Sequence, residues 1–483
     1  MPKNKEKDSH IFAPGEPDFA SKRKNRSRYL LLKTKPRRIL IYGIKYLITP
    51  DEKDDVVVME NKSILVENGE IKKVLPLGDH KQIDLNKIDL IYDATKRGGL
   101  VVTPGFINAH SHPPMYILRS SMALAGEEGT IAQALETAIK LERQMTEEDL
   151  FYSSVADFSE EQKMGTTTTL SHYHTPSATS NAADFCHQRL IDAVSIASST
   201  DPKASPEEAE KYIKSFKRKS FSSREMIRPA LCIHYVYRAS EDTLKKAKAL
   251  MEKYNVLLTM HLSESEMDIQ ETIKRFGARP VEVLDKFGLL SKNLVLSHAV
   301  HLTPQEIDLL AKRKVGIVHL PTSNLIHKSG RLDYSNFFRS GLHKNMALGT
   351  DSVISKSRLD LITEALQART MHQHSQVIYY KDLFKMITSN AAQILGLKKL
   401  GKIVPGYRAD LSFWKLRDRG FIPYDSKDPS TLITNFITFG GRNIRDLMID
   451  GQFVISNRVH NFVDESSLLD KIQDLHTNLR KKI

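Results

Sequence analysis

Cysteine, tryptophan and long apolar runs are scarce in this sequence of 483 residues. Its two cysteines, Cys186 and Cys232, form no C-x-x-C motif, which argues against a disulfide framework and a thiolate zinc site. No apolar run approaches the roughly 18–20 residues of a membrane span, and charges stand near the N-terminus where a signal peptide has its apolar stretch. We therefore expect a cytoplasmic globular protein with no membrane partner and two buried, unpaired thiols.

The net charge of +13 raises the question of a nucleic-acid or anionic membrane partner. Residues 1–38 contain 12 Lys and Arg against four Asp and Glu, which leaves +5 for the other 445 residues. The basic character therefore belongs mostly to residues 1–37, which we predict to be a flexible, solvated N-terminal arm. An anion-binding arm is the alternative, and nucleic acid is not the expected partner.

Strand patterns occupy both ends of the chain, and short strands that alternate with helices lie between them. Residues 38–98 and 402–463 contain alternating runs around Asn68-Gly69 and Asp450-Gly451, which are strong hairpin signals. Residues 99–401 alternate short apolar strands with helical stretches, as in 241–254. The eight candidate strands are GLVVTPGFI, GTTTTLSHYH, RLIDAVSIA, RPALCIHYV, NVLLTMHLS, NLVLSHAVHL, VGIVHLP and NMALGTD.

Eight apolar strands that alternate with helices predict an α/β fold with a closed (β/α)8 TIM barrel. The two terminal β segments predict a small composite β-sandwich domain built from both chain ends. Residues 464–483 have leucines and an isoleucine at helical spacing and predict a C-terminal helix.

Three His-x-His triplets occur, where 18 histidines in 483 positions would produce roughly 0.7 by chance. They are His110/His112, His172/His174 and His372/His374. His372/His374 lies near the end of a predicted helix, where positions i and i+2 do not face each other, so we place it on the surface. His172/His174 ends a strand, and we interpret it as pocket lining, with a metal role as the alternative.

Polar side chains end most of the predicted barrel strands, where active sites of such barrels lie. In strand order they are His110 and His112, His172 and His174, His234, His261 with Glu264, His298, His319 and Asp351. Two residues apart on a strand, His110 and His112 face the same way. Together with His261 and Asp351 they form a ligand set suited to Zn²⁺ or Fe²⁺, with an open position for water.

An open position on a metal ion indicates catalysis by activated water, because the ion lowers the pKa of bound water to roughly 7. A general acid must then protonate the leaving group, and Glu264 on the turn after His261 is positioned for that role. His298 is expected to stabilise an oxyanion or to hold the nucleophile.

Several segments resemble a known family. They are PGFINAHSHPP, HLSES, LSHAVHLTPQEIDLLA, HLPTSNL, LGTDS, SNAAQILG and GYRADLSFW. In order, they resemble the amidohydrolase superfamily from about Arg38 to about Asn457. More narrowly, they are similar to its ATZ/TRZ-type branch of cyclic aminohydrolases, chlorohydrolases, and S-adenosylhomocysteine and guanine deaminases.

This resemblance implies the same metal ligands, His110, His112, His261 and Asp351, and one metal ion. It implies Glu264 and His298 as the proton-handling pair, and Asp351 as a further proton acceptor. It also implies homodimers or higher homo-oligomers, and His234 and Asn324 as substrate contacts, although Asn324 has the alternative of a turn residue that organises its loop. His174 is predicted as a further substrate contact from its place at the end of a barrel strand.

Two segments depart from the family's nucleoside-type members. The stretch after the first strand, RSSMALAGEEGTIAQALE, has no Trp, and SVISKSRLD after the eighth is more basic than is usual. Lys356 and Arg358 are therefore either contacts for an anionic group of a small-molecule substrate or ordinary surface residues. The expected function is deamination of a nitrogen heterocycle by metal-activated water. The alternatives are a triazine-type chlorohydrolase or alkylaminohydrolase, and a catalytically lapsed barrel that serves as a binding scaffold.

Overall fold

The structure is a computed structural model that describes residues 11–12, 35–119, 138–173, 176–197, 204–216, 226–355, 358–440 and 444–482. Most of the basic arm, His174, Lys356 and nearly all of the stretch that follows Arg119 lie outside these ranges. The chain divides into two compact units, Met1–Gly105 with Lys399–Asn461 and Phe106–Lys398 with Phe462–Ile483.

The strands are β1 Ile11–Phe12, β2 Arg38–Pro50, β3 Val56–Glu67, β4 Glu70–Pro76, β5 Leu90–Asp93, β6 Leu100–Pro104, β7 Phe106–Ser111, β8 Thr166–Tyr173, β9 Arg189–Ser195, β10 Ile227–Ile233, β11 Leu258–Leu262, β12 Leu294–His298, β13 Gly316–His319, β14 Met346–Leu348, β15 Leu411–Lys415, β16 Ile444–Ile449, β17 Gln452–Ser456 and β18 Val459–His460.

The α-helices are α1 Glu147–Lys163, α2 Pro176–Cys186, α3 Pro206–Phe216, α4 Glu241–Tyr254, α5 Glu266–Phe276, α6 Pro280–Lys286, α7 Pro304–Arg313, α8 Pro321–Ile326, α9 Tyr334–Ser340, α10 Leu361–His372, α11 Tyr380–Met386, α12 Ser389–Ile394, α13 Thr431–Phe439 and α14 Glu465–Arg480. Side chains that accept from the first turn begin several of them, as Thr303 does in a capping box with Glu306. None of the helices among the described residues combines the length and apolarity that a bilayer span requires.

The first unit is one ten-stranded sheet drawn from both ends of the chain, as the terminal strand patterns predicted. Both predicted hairpins form: Asn68 and Gly69 join β3 to β4, and Asp450 and Gly451 join β16 to β17. All four residues have positive φ, the conformation that such two-residue turns demand. The core of this unit is apolar, with Ile39, Val66, Phe413, Met448 and other residues fully buried.

The second unit is a parallel eight-stranded barrel in which β7 to β14 pair in sequence order. A parallel bridge between Ser111 and Asp351 joins the end of β7 to the residues after β14. The predicted (β/α)8 barrel is therefore confirmed. Leu468, Leu475 and Leu479 of α14 are buried in this unit, whereas Leu469 is 62% exposed.

The segment GLVVTPGFI, predicted as one barrel strand, is two strands in different sheets. Residues Leu100–Pro104 pair with β2 and β15 in the first unit, and the barrel strand begins at Phe106. Pro104 has no N–H for a ladder, and the N–H of Gly105 donates to Asp410 before that of Phe106 donates to Gly165 in the other sheet. The break lies at the Pro-Gly pair.

Asn108 connects the first and last barrel strands. Its side-chain amide donates to Glu161 Oε1 and to Thr350 Oγ1, the latter at 2.7 Å. Its side-chain oxygen accepts from the N–H of Thr350 at 3.1 Å and from that of His110 at 3.4 Å. All of these residues are buried, so the loss of Asn108 would remove one hydrogen-bond partner from each of them.

We predict that Asn108→Ala lowers the free energy of unfolding by about 2–4 kcal/mol, because it leaves buried polar groups of Glu161 and Thr350 without this partner. Urea denaturation followed by circular dichroism measures the change. Asn181→Ala on the exposed side of α2 is the control and should stay within about 0.5 kcal/mol of the wild type. Equal losses in the two variants would contradict the role of Asn108 in closing the barrel.

Candidate active site

The predicted ligands converge at the carboxyl end of the barrel. The Nε2 atoms of His110 and His112 lie 3.1 Å apart, and His112 Nε2 lies 3.3 Å from Asp351 Oδ1. The ring of His261 is centred 4.9 Å from that of His110. Four residues from three distant parts of the chain therefore lie together at this end of the barrel.

The donor set fits a divalent metal ion. Two trios of ligand atoms lie within 4.8 Å of one another, one from His110, His112 and Asp351 and one from His110, His172 and His261. His261 Nδ1 faces the carbonyl oxygen of His234 at 2.9 Å. Since a carbonyl only accepts, Nδ1 carries the proton and Nε2 keeps its lone pair for a metal. Imidazoles and a carboxylate are the donors that Zn²⁺ and Fe²⁺ prefer.

Electrostatics keep the imidazoles of His110 and His261 neutral and the carboxylate of Asp351 charged. Burial, followed by the neighbouring imidazoles, lowers the pKa of His110 and of His261 well below the usual value. Burial opposes ionisation of Asp351, but the hydrogen bond and charge of His112 outweigh it and lower the pKa of that carboxyl well below its ordinary range. Neutral imidazoles and an ionised carboxylate are the forms that bind metal.

Hydroxyl groups hold Asp351 in place. Its Oδ2 accepts from Ser323 Oγ at 2.5 Å and from Ser355 Oγ at 3.1 Å, and its Oδ1 accepts from the N–H of Ser352 at 2.8 Å. Asp351 has φ 59°, and His298 at the end of β12 has φ 71°. Residues other than glycine seldom adopt this left-handed conformation, and when they do it is often at functional sites.

Glu264 and His298, the predicted proton-handling pair, lie side by side. His298 Nε2 is 3.6 Å from Glu264 Oε2, and each side chain is 2% exposed. Tyr235 donates to Glu264 Oε2 at 2.5 Å, and Ser329 Oγ lies 3.4 Å from Oε1. The carboxylate therefore has a fixed orientation toward the imidazole.

Asn324, predicted as a substrate contact, lies beside His298 and orients its ring. It is fully buried on α8, and its side-chain oxygen lies 2.8 Å from His298 Nδ1. That contact puts the proton on Nδ1 and leaves Nε2 facing Glu264. Helix α8 begins directly after β13 and places Asn324 beside His298. The substrate contact of Asn324 stays a prediction.

A cavity of about 600 Å³ opens onto these groups, a volume typical of small-ligand sites. Its walls combine apolar, aromatic and basic side chains with the polar cluster. Lining residues include Met115, Glu142, Arg143, His172, Tyr173, His234, Tyr235, Tyr237, Arg238 and Ile354. The predicted contact His234 is thus on the wall, whereas His174 lies outside the described residues.

The two remaining His-x-His pairs lie in different environments. His172 is buried in the cavity wall. His372 is also buried, with its Nε2 3.3 Å from that of His319, whereas His374 is exposed. The prediction that both His372 and His374 lie on the surface is wrong for His372, because the last turn of α10 faces the end of β13.

Glu142 and Tyr235 are site residues that the pattern of strand ends missed, because neither ends a strand. Tyr173 donates to Glu142 Oε1 at 2.8 Å. Burial raises the pKa of Glu142 from 4.5 to about 7. The position of Tyr235 directly after His234 could have identified it as a site residue. No feature of the sequence identifies Glu142.

A barrel whose strand ends bring buried imidazoles, a carboxylate and a glutamate into one cavity is the architecture of a metal-dependent hydrolase. The model of the amidohydrolase family matches residues 101–454, and the chain belongs to that family.

Curated relatives cover nearly the whole chain. A 5-methylthioadenosine/S-adenosylhomocysteine deaminase of Thermodesulfovibrio yellowstonii is 32% identical over 444 residues, which are 90% of this chain and 97% of the relative. The enzyme of that name from Pyrococcus furiosus is 28% identical over 444 residues, 90% and 97% of the two chains.

Solved structures share the fold. An adenosine deaminase from Xanthomonas campestris with bound zinc has a TM-score of 0.81 at 22% identity and covers 92% of this chain and 98% of its own. Atrazine chlorohydrolase from Arthrobacter aurescens complexed with zinc has a TM-score of 0.80 at 21% identity, with 91% and 100% covered.

We predict that the stability difference between Glu142→Gln and the wild type depends on pH. The folded carboxyl has a pKa of about 7 against 4.5 ordinarily, so the folded state binds its proton more tightly than the unfolded state. The contribution of Glu142 is therefore fully present below pH 4.5 and is lost as the pH rises through 7. Relative to the wild type, Glu142→Gln should gain roughly 3 kcal/mol of stability as the pH rises between these values.

Urea denaturation at pH 4.5, 6 and 8 measures this difference. Glu266→Gln, at an exposed position, is the control and should differ from the wild type by a constant amount. A constant difference for Glu142→Gln would contradict the raised pKa.

Proposed function

We propose that the chain is a metal-dependent aminohydrolase that removes an exocyclic amino group from a nitrogen heterocycle and releases ammonia. One observation carries this proposal: the imidazole–carboxylate cluster shares its cavity with a buried glutamate 3.6 Å from a buried histidine. The deaminases named among the curated relatives, which cover 90% of this chain, support the same reaction class.

The proposed metal ligands are His110, His112, His261 and Asp351, and the proposed ion is Zn²⁺, with Fe²⁺ as the alternative. Zinc in two of the structural neighbours and the donor chemistry support this choice. When bound, such an ion supplies Lewis-acid activation of a water molecule.

Glu264 carries the proton in this proposal. Its Oε2 accepts a proton from the attacking water, whose oxygen bonds to the ring carbon. It then delivers that proton to the exocyclic nitrogen, which leaves as ammonia when the carbon–nitrogen bond breaks. Tyr235 keeps the carboxylate turned toward the cavity through its hydrogen bond of 2.5 Å. Burial of Glu264 excludes bulk solvent as a competing proton source.

His298 and Asp351 position the reacting water. Because Asn324 holds the proton of His298 on Nδ1, Nε2 presents a lone pair that accepts a hydrogen bond from water. Asp351, ionised and held by two serine hydroxyls, is a second acceptor. His234 on the cavity wall is the proposed substrate contact.

The proposal also includes three properties of the protein: it acts on a small-molecule substrate, it is located in the cytoplasm, and it forms a homo-oligomer. Cys186 and Cys232 are buried and unpaired, as is usual for proteins of a reducing compartment. The homo-oligomer follows from the resemblance to the family.

The experiment that tests the function is an ammonia-release screen of metal-loaded protein. The substrates are 5-methylthioadenosine, S-adenosylhomocysteine, adenosine, guanine, aminopterins, aminopyrimidines and chlorinated or alkylaminated triazines. We expect ammonia from at least one aminated heterocycle. Release of chloride or alkylamine from triazines without any ammonia would contradict the proposal.

We predict that His110→Ala and Asp351→Ala each lose the bound metal and turnover together, because each substitution removes a ligand. Elemental analysis by mass spectrometry on purified full-length protein measures metal per chain. His374→Ala, which removes an exposed imidazole, is the control and should keep the wild-type stoichiometry. A His110→Ala protein with one equivalent of metal would overturn the ligand assignment.

We predict that Glu264→Gln keeps the metal but loses about 10²–10⁴-fold in kcat, since an amide cannot transfer the proton. Steady-state ammonia release together with metal analysis measures both quantities. The matched control is Glu266→Gln, two residues further along at an exposed position, with wild-type turnover. A Glu264→Gln enzyme within twofold of the wild-type rate would show that another group carries the proton.

A further inference from the structure

A further imidazole, His172, faces the proposed metal ligands. It comes from β8, which supplies none of the ligands proposed above. Its ring is centred 4.5 Å from that of His261, 5.3 Å from that of His110 and 5.4 Å from that of His112. One of its ring nitrogens lies within 4.8 Å of ligand atoms of both His110 and His261. The ring of His172 is thus as close to the rings of the proposed histidine ligands as those rings are to one another.

Among the residues that the structure describes, none forms a hydrogen bond with the Nδ1 atom of the buried His172 ring. The residue is 4% exposed. By contrast, His110 Nδ1 lies 2.8 Å from Ser297 Oγ and His261 Nδ1 lies 2.9 Å from a carbonyl oxygen. Buried polar atoms are seldom left unsatisfied, so a group bound beside the ring is the expected completion.

We propose that His172 is a fifth protein ligand of the metal ion, so that four imidazoles and one carboxylate hold it. This inference rests on the metal centre of the proposed function and adds a ligand that the family resemblance does not imply. His110, His112, His261 and Asp351 remain ligands, and His172 closes the cluster on the β8 side.

A five-donor set has a consequence for metal choice. Three imidazoles and a carboxylate leave an open position in the low-coordinate sites that Zn²⁺ favours. Five protein donors leave one open position in a six-coordinate site, which Fe²⁺ and Co²⁺ accept more readily than Zn²⁺ does. The wild-type centre should therefore discriminate less strongly in favour of Zn²⁺ than a variant without His172.

The test counts imidazoles around a probe ion in the full-length chain. Metal-free protein is loaded with one equivalent of Co²⁺, and X-ray absorption at the cobalt edge, with the visible cobalt bands, reports the number of imidazoles and the coordination number. We expect four imidazoles and weak six-coordinate bands in the wild type. His172→Gln should give three imidazoles, more intense bands and Co²⁺ binding weakened by more than about tenfold.

The matched control is His234→Gln, which removes another imidazole of the same wall, 4.9 Å in ring centroids from His261. It should keep four imidazoles around cobalt, because the backbone carbonyl of His234, which the substitution leaves in place, holds His261. His172→Phe is the second variant should His172→Gln fail to fold, and the wild-type count decides in either case.

Three imidazoles in the wild type, or equal counts in the wild type and His172→Gln, would overturn this inference and assign His172 to the substrate pocket. Wild-type protein that binds no stoichiometric Co²⁺ would instead overturn the metal centre of the proposed function. The two failures are therefore distinguishable in one series of samples.

Discussion

The register between the first barrel strand and the residues after the last strand determines where the site lies. The carbonyl oxygen of His110 accepts from the N–H groups of Thr350 and Asp351, at 3.1 and 3.0 Å. The backbone of one proposed ligand is thereby tied to that of another from the far end of the barrel. Asn108, two residues earlier, binds Thr350 through both its amide and its carbonyl groups. The same few bonds close the barrel and assemble the cluster.

Once the barrel is closed, burial determines the chemistry. Desolvation keeps the imidazoles of His110 and His261 neutral, and the hydrogen bond from His112 keeps Asp351 ionised despite its burial. A buried group of this kind is costly without a counter-ion. A divalent cation supplies a counter-charge to the carboxylate of Asp351 that the neutral imidazoles of His110 and His261 do not supply, so the cluster is better suited to an ion than to an empty cavity.

The sequence predicted the barrel and the strand ends at which His110, His261, His298 and Asp351 lie, because periodicity is a local property and strand ends converge in any closed parallel barrel. Contacts between residues that lie far apart in the sequence could not be predicted from periodicity. The inward turn of α8 that buries Asn324 depends on the direction of a helix relative to its strand. The burial of His372 depends in the same way on which face of α10 meets β13.

The supporting residues were harder to predict than the proposed ligands. Tyr235 and Glu142 have no characteristic spacing, and their roles follow from partners that lie far away in sequence, Glu264 and Tyr173. The strand break at Gly105 is a different case, since Pro104-Gly105 is a recognisable local signal. The alternation of residues within this segment does not show that β6 pairs with strands of a different sheet from β7.

The central claim is that the cluster of imidazoles and Asp351 is a single metal centre. Calorimetric titration of Zn²⁺ into metal-free protein at neutral pH tests it most directly. We expect saturation at one ion per chain, accompanied by proton release and by a rise in the thermal unfolding midpoint, since an ion that binds only the folded state stabilises it. Titration without saturable binding, or with an unchanged unfolding midpoint, would contradict the account.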